Sequence, residues 1–571
     1  MVKIVRNPND SRYIFLVGAD ATDRKHLAEL EKYMNKIPKY MLLPTCKIPP
    51  SPEVFLEKFR GSDGNWIYYC SAGLWKEVSD YFDENNIYIN KNSLNRDFKY
   101  TPFNLTKDEF KSLVASWNLN IEPRDYQLDA AWLILKYRLS LSELATRAGK
   151  TLIFMIVARA AKEVLGVHNI LMIVPSIHLV KQGVKDLQEY KEYFNAEQIW
   201  AGGEEVEMAD LTIGTFQSLV RKADPRYKNY NPTFFDKYDF VCVDEAHKSP
   251  CKSIKKILSL EAFKNMKLRF GFTGTLPKPG TIESFACQAM LGPKIQEISA
   301  RELIDEGYLA DPVITQYRLV YNQSDLTDII IKCGEYLLSS YKKVGGKQVL
   351  LPEDRRQFTM VHEKVLPVAL QQAREILEPE EYAQHIISMC KASSKTLNLE
   401  QLMAMFSVPR IDLIKQLIGR SNKNIIVFAH NVEYIKYLEQ ILSVSFPDRN
   451  IYRITGATNL KKRQQVLDKM LESDNNILIG SFSVIGTGLT IRNVDYGIFA
   501  QSFKADTITR QSLGRLMLRT EEKSEFYLYD IIDSFPTKKI HSQGLEKVKI
   551  YKTNKFQNKV IKKSVKFQEI F

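Results

Sequence analysis

Residues 144–151 read LATRAGKT and lead straight into an apolar run, LIFMIVARAA. A glycine, a lysine and a hydroxyl in that order before a helix are what a phosphate site requires. Backbone N–H groups of the loop and of the helix start bind phosphate oxygens. Lys150 can reach the β- and γ-phosphates, and the Thr151 hydroxyl can ligate Mg²⁺. The first glycine of the general pattern is missing, with Leu144 in its place, and GKT also occurs by chance in surface turns. Ninety-three residues after Thr151, a second apolar run ends in Asp244-Glu245-Ala246-His247. Carboxylates at the C-terminal tip of a strand lie where α/β folds bind ligands. There Asp244 would hold the metal, and Glu245 would orient and deprotonate an attacking water. A charged turn is the competing reading. It loses ground because both halves of a nucleotide site occur in order, each after a strand-like run.

With these two motifs the sequence resembles helicase superfamily 2, and further motifs follow in that family's order. Arg124-Asp125-Tyr126-Gln127 resembles the adenine-reading Q motif, Gln127 having the donor and acceptor that a base edge needs. The resemblance therefore implies ATP contacts from Arg124, Tyr126, Gln127, Thr146, Arg147, Ala148, Gly149, Lys150 and Thr151. Residues 173–182 (IVPSIHLVKQ) and 213–219 (IGTFQSL) resemble strand-end segments that touch nucleic-acid backbone, which makes Pro175, Ser176, Thr215 and Gln217 candidate contacts. Thr273-Gly274-Thr275 resembles the motif linking hydrolysis to strand movement, with His247, Thr273, Thr275 and Gln511 as expected coupling residues. Residues 427–431 (VFAHN) resemble motif IV and 481–493 (SFSVIGTGLTIRN) motif V. They add His430, Asn431 and Thr487 as nucleic-acid contacts and Gly488 at the nucleotide. Residues 511–519 (QSLGRLMLR) resemble motif VI, whose arginines act on ATP bound to the first domain. The implied catalytic set is Lys150, Asp244, Glu245, Arg515 and Arg519. The implied cofactors are ATP and Mg²⁺, the metal being held by Thr151 and Asp244.

Within the superfamily the chain is similar to the UvsW-type helicases of tailed bacteriophages. The features that carry this are the IEPRDYQ opening, the ATRAGKT loop, and the QSLGR helix followed by YLYDIID. The likeness runs from residue 121 to about residue 534, less an insertion at 323–420 that is longer than expected for the family. Motif VI also departs from its usual GRxxR spacing: Arg519 lies four positions after Arg515, with Leu518 in the usual place. If one helix spans 511–519, four residues advance about 400° and the two arginines share a face.

The elements that would hold these residues alternate between buried strands and helices. The runs ILMIV (170–174), FVCV (240–243) and LRFGF (268–272) read as strands of a parallel sheet covered on both faces. NIIVF (424–428), ILI (477–479) and YGIFA (496–500) restart the rhythm. The expected fold is α/β: two tandem RecA-like, doubly wound parallel-sheet domains. A small α+β domain over 1–118 precedes them. The first sheet domain is expected over 119–312 and the second over 313–540 with the helical insertion at 323–420. A basic C-terminal extension over 541–571 follows. Pro379 marks a helix start in the insertion. Residues 399–417 (LEQLMAMFSVPRIDLIKQL) have the apolar spacing of a helix-turn-helix reader or of two helices packed on the second domain.

Composition bounds the class. With 44% hydrophobic and 26% charged residues, the chain is neither disordered nor collagen-like. No apolar run approaches the roughly 18 residues of a membrane span, and no signal-peptide pattern opens the sequence. Seven cysteines with no CxxC pair argue against a disulfide framework or a zinc ribbon. A cytoplasmic location follows, the host cytoplasm if the chain is phage-encoded. The net charge of +13 and pI near 9.1 suit a polyanionic partner. Eight lysines and two glutamates fall in the last 27 residues. In the N-terminal domain, Arg12, Tyr13 and Phe15 with Lys58, Phe59 and Arg60 form either a stacking surface or part of a core.

The expected activity is an ATP-dependent DNA helicase or translocase on forks, D-loops or Holliday junctions. Partners would be branched or partly single-stranded DNA, RNA in R-loops, and single-strand-binding or recombination proteins, with no membrane. The alternatives are a restriction or defence motor, an RNA or R-loop helicase, and a nucleotide-regulated binding protein that does not hydrolyse ATP.

Overall fold

The computed structural model describes residues 2–6, 12–38, 41, 52–90, 103–188, 199–200, 210–322 apart from 232 and 265, 326–333, 341–344, 347–350, 376–392, 396–482, 484–485, 493–501, 506–520, 523–536 and 538–565. The chain divides into two units, Met1–Ser299 and Ala300–Phe571.

The first unit opens with a five-stranded sheet in the order β3-β4-β2-β1-β5. Its strands are β1 Val2–Arg6, β2 Tyr13–Val17, β3 Leu56–Arg60, β4 Trp66–Ser71 and β5 Ile89–Asn90. Alternation along β1, β2 and β4 turns Val2, Ile4, Ile14, Leu16, Tyr68 and Cys70 inward. They meet Leu27 and Leu30 of the helix Ala21–Met34, and Val78 and Phe82 of the helix Trp75–Glu84. Phe285 and Ala289, from far along the chain, complete this core.

The second sheet of this unit has β6 Leu139–Leu144, β7 Ile170–Val174, β8 Ile199–Trp200, β9 Leu211–Thr215, β10 Phe240–Val243, β11 Leu268–Thr273 and β12 Lys294–Ile298. All pairs are parallel, in the order β12-β6-β11-β10-β7-β9-β8. Every residue of β9, β10 and β11 is buried, as strands covered on both faces must be.

The second unit has the same architecture. Its strands are β13 Asp311–Tyr321, a hairpin β14 Tyr341–Val344 and β15 Lys347–Leu350, then β16 Ile425–Ala429, β17 Asn450–Ile454, β18 Asn476–Ser481, β19 Tyr496–Phe499, β20 Glu525–Ser534 and β21 Gln557–Val565. Seven of them form a parallel sheet ordered β17-β18-β16-β19-β20-β13-β21. Two RecA-like parallel-sheet domains behind a small α+β domain are thus the fold.

Four expectations need correction. The division falls after Ser299 rather than at 312. β12 closes the first sheet there, and Arg301 of the next helix pairs with Asp311 at 3.1 Å. The C-terminal segment is no extension. The helix Lys539–Thr553 buries Ile540 and Tyr551, and β21 pairs with β13 along its whole length. Its lysines, Lys559 and Lys562, are exposed on an edge strand, where charge discourages pairing with another chain. The helix-turn-helix reading also gives way. The helices Thr396–Phe406 and Val408–Ile418 bury Leu402, Met403, Leu413, Ile414 and Leu417 in the core of the second unit, and their arginine, Arg410, is fully buried. Finally, the helix Asp506–Leu516 ends before Arg519, because Leu518 bridges Leu309 and the Ala310 N–H donates to the Met517 carbonyl at 2.9 Å. Arg515 and Arg519 therefore do not share a helical face.

Candidate nucleotide site

The phosphate loop joins β6 to the helix Lys150–Leu165. Arg147 and Gly149 take positive φ, +71° and +80°, which curls the backbone before the helix begins. The first-turn N–H groups of that helix have no intrahelical acceptors. Gly149 is required twice over: its φ is left-handed, and a Cβ there would stand 2.2 Å from Nε2 of Gln127. Lys150, Thr151, Thr146 and Arg147 are all partly exposed around the loop.

The Q-motif residues brace this loop. Gln127, almost fully buried, donates from Nε2 to the Ala148 carbonyl at 3.0 Å and accepts from the Arg124 N–H at 3.0 Å. Tyr126 donates its hydroxyl to the same carbonyl at 3.1 Å, and Arg124 donates to the Tyr126 hydroxyl at 2.8 Å. Sequence reasoning assigned Gln127 to a base edge and missed this second role. Glutamine type and position carry no sign of a partner twenty-one residues away.

Asp244 and Glu245 follow β10 at the same edge of the sheet. Glu245 has φ +53°, unusual for a residue with a side chain, and stands at the N-cap of the short turn Ala246–Lys248. Burial, then the neighbouring Glu245 charge, push the Asp244 carboxyl up to about 6. Burial also opposes the ionised form of Glu245, yet the hydrogen bond to His247 and the charge of Lys150 hold it down at about 2. Two carboxylates beside one lysine share the burden unequally. The Asp244 side chain accepts the Glu245 N–H at 2.9 Å.

A desolvated carboxylate, with no cation bonded to it among the described residues, and a hydroxyl at a helix start form a hard oxygen donor set that fits Mg²⁺. A bound divalent ion would further favour the ionised form of Asp244.

His247 links this edge to the next loop. Its Nδ1 is 3.2 Å from the Glu245 carboxylate and 3.0 Å from the Thr273 hydroxyl. That hydroxyl donates to the Thr275 carbonyl at 2.9 Å and accepts the Thr275 N–H at 3.2 Å. A Cβ on Gly274 would be 3.8 Å from Lys150 Nζ and 3.9 Å from the Thr146 hydroxyl. The structure thus brings Gln127, Lys150, Asp244, Glu245, His247, Thr273 and Thr275 to one edge of one sheet.

The remaining candidates are more dispersed. Pro175 and Ser176 lie just past β7, Ser176 exposed and accepting the Leu179 N–H at 3.4 Å. Thr215 is buried, and its hydroxyl caps the helix Phe216–Ala223; it is spent locally, while Gln217 is exposed beside it. In the second unit, His430 is exposed at the end of β16, and Asn431 caps the helix Val432–Ser445. The Gln501 amide oxygen accepts both their N–H groups, at 2.7 and 3.0 Å, another residue the sequence did not single out. Gln511 is buried, Arg515 half-buried and Arg519 exposed. Thr487 and Gly488 lie outside the described residues.

In the N-terminal sheet, Tyr13 and Phe59 are exposed and Phe15 half-buried. Arg12, however, donates to the Ser259 and Leu260 carbonyls and pairs with Glu261 at 3.1 Å. Lys58 pairs with Glu31 at 2.8 Å. Both are therefore engaged within the protein. No described helix is long and apolar enough to cross a membrane.

Residues 120–278 match the family model of the type III restriction enzyme res subunit, and residues 409–518 match the helicase conserved C-terminal domain. The ATP-dependent DNA helicase uvsW of Enterobacteria phage T4 is 23% identical over 428 residues, 74% of this chain and 70% of that protein. The DNA 3'-5' translocase XPB2 of Sulfurisphaera tokodaii is 22% identical over 474 residues, 83% of this chain and 92% of that protein. The crystal structure of T4 UvsW aligns over 99% of both chains with a TM-score of 0.39 and 18% identity. The two helicase-domain matches, in this order along the chain, and the two sequence relatives support an ATP-dependent helicase of the superfamily 2 type, similar to UvsW.

Proposed function

We propose that this enzyme is an ATP-driven DNA helicase or translocase that remodels branched DNA such as forks, D-loops and four-way junctions. The observation that carries the reading is the convergence of the phosphate loop, the two carboxylates and the His247–Thr273 link at one sheet edge. Lys150 neutralises phosphate charge, and the loop N–H groups orient the phosphate oxygens. Thr151 and Asp244 would hold Mg²⁺, which supplies charge neutralisation on the phosphates when bound. Glu245, held ionised beside His247, takes the proton of the attacking water on its carboxylate. His247 then carries the change in Glu245 to Thr273 through two short contacts. By the family resemblance, Arg515 of motif VI supplies further positive charge to the transferred phosphoryl group.

DNA as the substrate is supported by the names of both relatives; branched DNA rests on the family resemblance of the sequence motifs. Such motors hold the sugar-phosphate backbone, so binding depends on salt more than on sequence. A phage origin, action in the host cytoplasm, and recombination or single-strand-binding partners belong to the same reading. A restriction or defence motor is the second reading, favoured by the res-subunit match of the first domain; a nuclease would then be a separate partner.

The test compares ATP-dependent processing of a mobile four-way junction, a fork, a tailed linear duplex and an RNA–DNA hybrid, with Lys150→Ala and Glu245→Gln as controls. The junction and fork should be processed fastest. Both controls should lose DNA-stimulated hydrolysis, Glu245→Gln while still binding ATP. Equal hydrolysis by Glu245→Gln and the unaltered enzyme would overturn the assignment of the base. Translocation along duplex with no junction processing would favour the restriction reading.

A further inference from the structure

The N-terminal domain reaches the loop that follows Thr273-Gly274-Thr275 through a lysine side chain. Lys36 lies two residues beyond the helix Ala21–Met34, and its ammonium donates to the Gly280 carbonyl at 2.5 Å. The same ammonium sits 4.6 Å from the ring centre of Tyr33 and 5.0 Å from that of Phe285. Two aromatic faces and a carbonyl give a cation a fixed seat. Gly280 belongs to the loop that leaves Thr273-Gly274-Thr275. Its φ of +70° fits glycine, so the carbonyl offered to Lys36 has a set direction. The near end of that loop is held by Glu143 of the phosphate-loop strand β6, which accepts the Leu276 N–H at 3.1 Å. The loop is therefore anchored on one side by β6 and on the other by the N-terminal domain.

The helix that follows, Ile282–Leu291, continues the connection. Thr281 caps it, accepting the Ser284 N–H at 3.2 Å. Phe285 and Ala289 enter the N-terminal core, and the Ser71 hydroxyl donates to the Ala289 carbonyl at 2.5 Å. Gln288 donates to Glu77 at 3.1 Å, and Glu77 also accepts the Tyr33 hydroxyl at 2.8 Å. Gly73 approaches so closely that a Cβ there would stand 2.0 Å from the Gln288 carbonyl oxygen. Elsewhere on this helix, the Cys287 thiol donates to the Ala246 carbonyl at 3.6 Å. Leu291 and Ala246 also close on the same point of β11, each leaving 2.7 Å for a Cβ on Gly271. Ala246 directly follows Glu245. One helix thus touches both the N-terminal core and the backbone behind the general base.

We propose that Lys36 is a positioning residue for mechanochemical coupling: through the Gly280 carbonyl and the helix Ile282–Leu291, the N-terminal domain fixes the Thr273–Thr275 loop against Glu245 and His247. The inference rests on the ATP-driven motor reading and adds to it. The N-terminal domain becomes part of the transmission rather than an appended binding module. The Lys36 ammonium is bonded within the protein, and its removal leaves Lys150, Asp244 and Glu245 in place. The loss falls on the work obtained from each ATP.

The experiment uses the full chain with Lys36→Met, which keeps most of the stem, and Lys36→Arg, which restores a cation. Three quantities are measured: ATP turnover at saturating duplex, triplex-strand displacement per ATP, and melting temperature. Lys36→Met should keep turnover within about twofold while displacement per ATP falls about fivefold or more, the size of a modest coupling free energy. Lys36→Arg should recover most of the loss. A proportional fall of turnover and displacement, or a lower melting temperature with an unchanged ratio, would make Lys36 a merely structural contact and overturn the proposal. Failure of the unaltered chain to displace the triplex strand would sink the motor reading instead. A functioning motor that is indifferent to Lys36→Met sinks this inference alone.

Discussion

Arg410 offers a severe test of how the insertion helices serve the second unit. Both Arg410 and Asp533 are fully buried and form an ion pair. Arg410 also donates through Nε to the Ala500 carbonyl at 3.0 Å and through a guanidinium nitrogen to the Ile531 carbonyl at 3.3 Å. The Tyr321 hydroxyl donates to Asp533 at 2.6 Å and meets the Ser407 hydroxyl at 2.6 Å. Arg410→Met keeps much of the apolar volume but strands the carboxylate with Tyr321 as its remaining named partner. Breaking one side of such a pair costs about 3–5 kcal/mol, because the other charge stays buried. For a unit of this size each kcal/mol lowers the melting temperature by roughly 2–4 °C, so a fall on the order of 10 °C is expected.

Calorimetry on the full chain can resolve the two units as separate transitions. The double variant Arg410→Met/Asp533→Leu removes both charges and should regain more than half of the loss. Function should follow geometry. Ala500 precedes Gln501, whose amide holds the backbone of His430 and Asn431, so Arg410→Met should weaken DNA binding more than ATP binding. A shift below about 2 °C for the single variant, far short of the cost of an unpaired buried charge, would refute the reasoning. So would a double variant no more stable than the single one.

Gln127→Ala should raise the KM for ATP about tenfold, roughly 1.4 kcal/mol, with a smaller change in kcat, because it removes one of the two donors, Gln127 and Tyr126, that hold the Ala148 carbonyl behind the phosphate loop; steady-state kinetics at saturating DNA checks this. Arg515→Ala should lower DNA-stimulated turnover on the order of 10²-fold, whereas Arg519→Ala, exposed and beyond the end of the helix, should stay within a few fold; equal losses would put both arginines in the reaction. Truncation of residues 554–571 should unfold or markedly destabilise the second unit rather than flatten the salt dependence of DNA binding, since it deletes β21. A stable truncated chain with a reduced salt slope in a filter-binding titration would restore the view of a solvated basic tail.

Local chemistry was legible in the sequence because its signals are local. The order glycine-lysine-threonine before an apolar helix, and two carboxylates after an apolar strand, need only nearby backbone to make sense. Strand positions were equally plain, since ILMIV, FVCV and NIIVF are runs that only a doubly covered sheet can bury. Pro379 marked the start of the helix Pro379–Ala392 as its fixed φ and missing N–H predict. What tertiary structure decided were the long-range partners. The lysine-rich C-terminus became an edge strand because β13 offered it a full parallel ladder. Arg410, an ordinary surface residue by type, was drawn inside by a carboxylate on β20. Motif VI lost its last turn because Leu518 bridges Leu309 and Met517 accepts the Ala310 N–H, contacts that helical periodicity cannot see. Gln127, Gln501 and Lys36 gained their roles in the same way, from hydrogen-bond partners 21, 71 and 244 positions away. Sequence spacing sets which groups are available within a few residues; which distant backbone group each one meets is fixed only when the sheets pack.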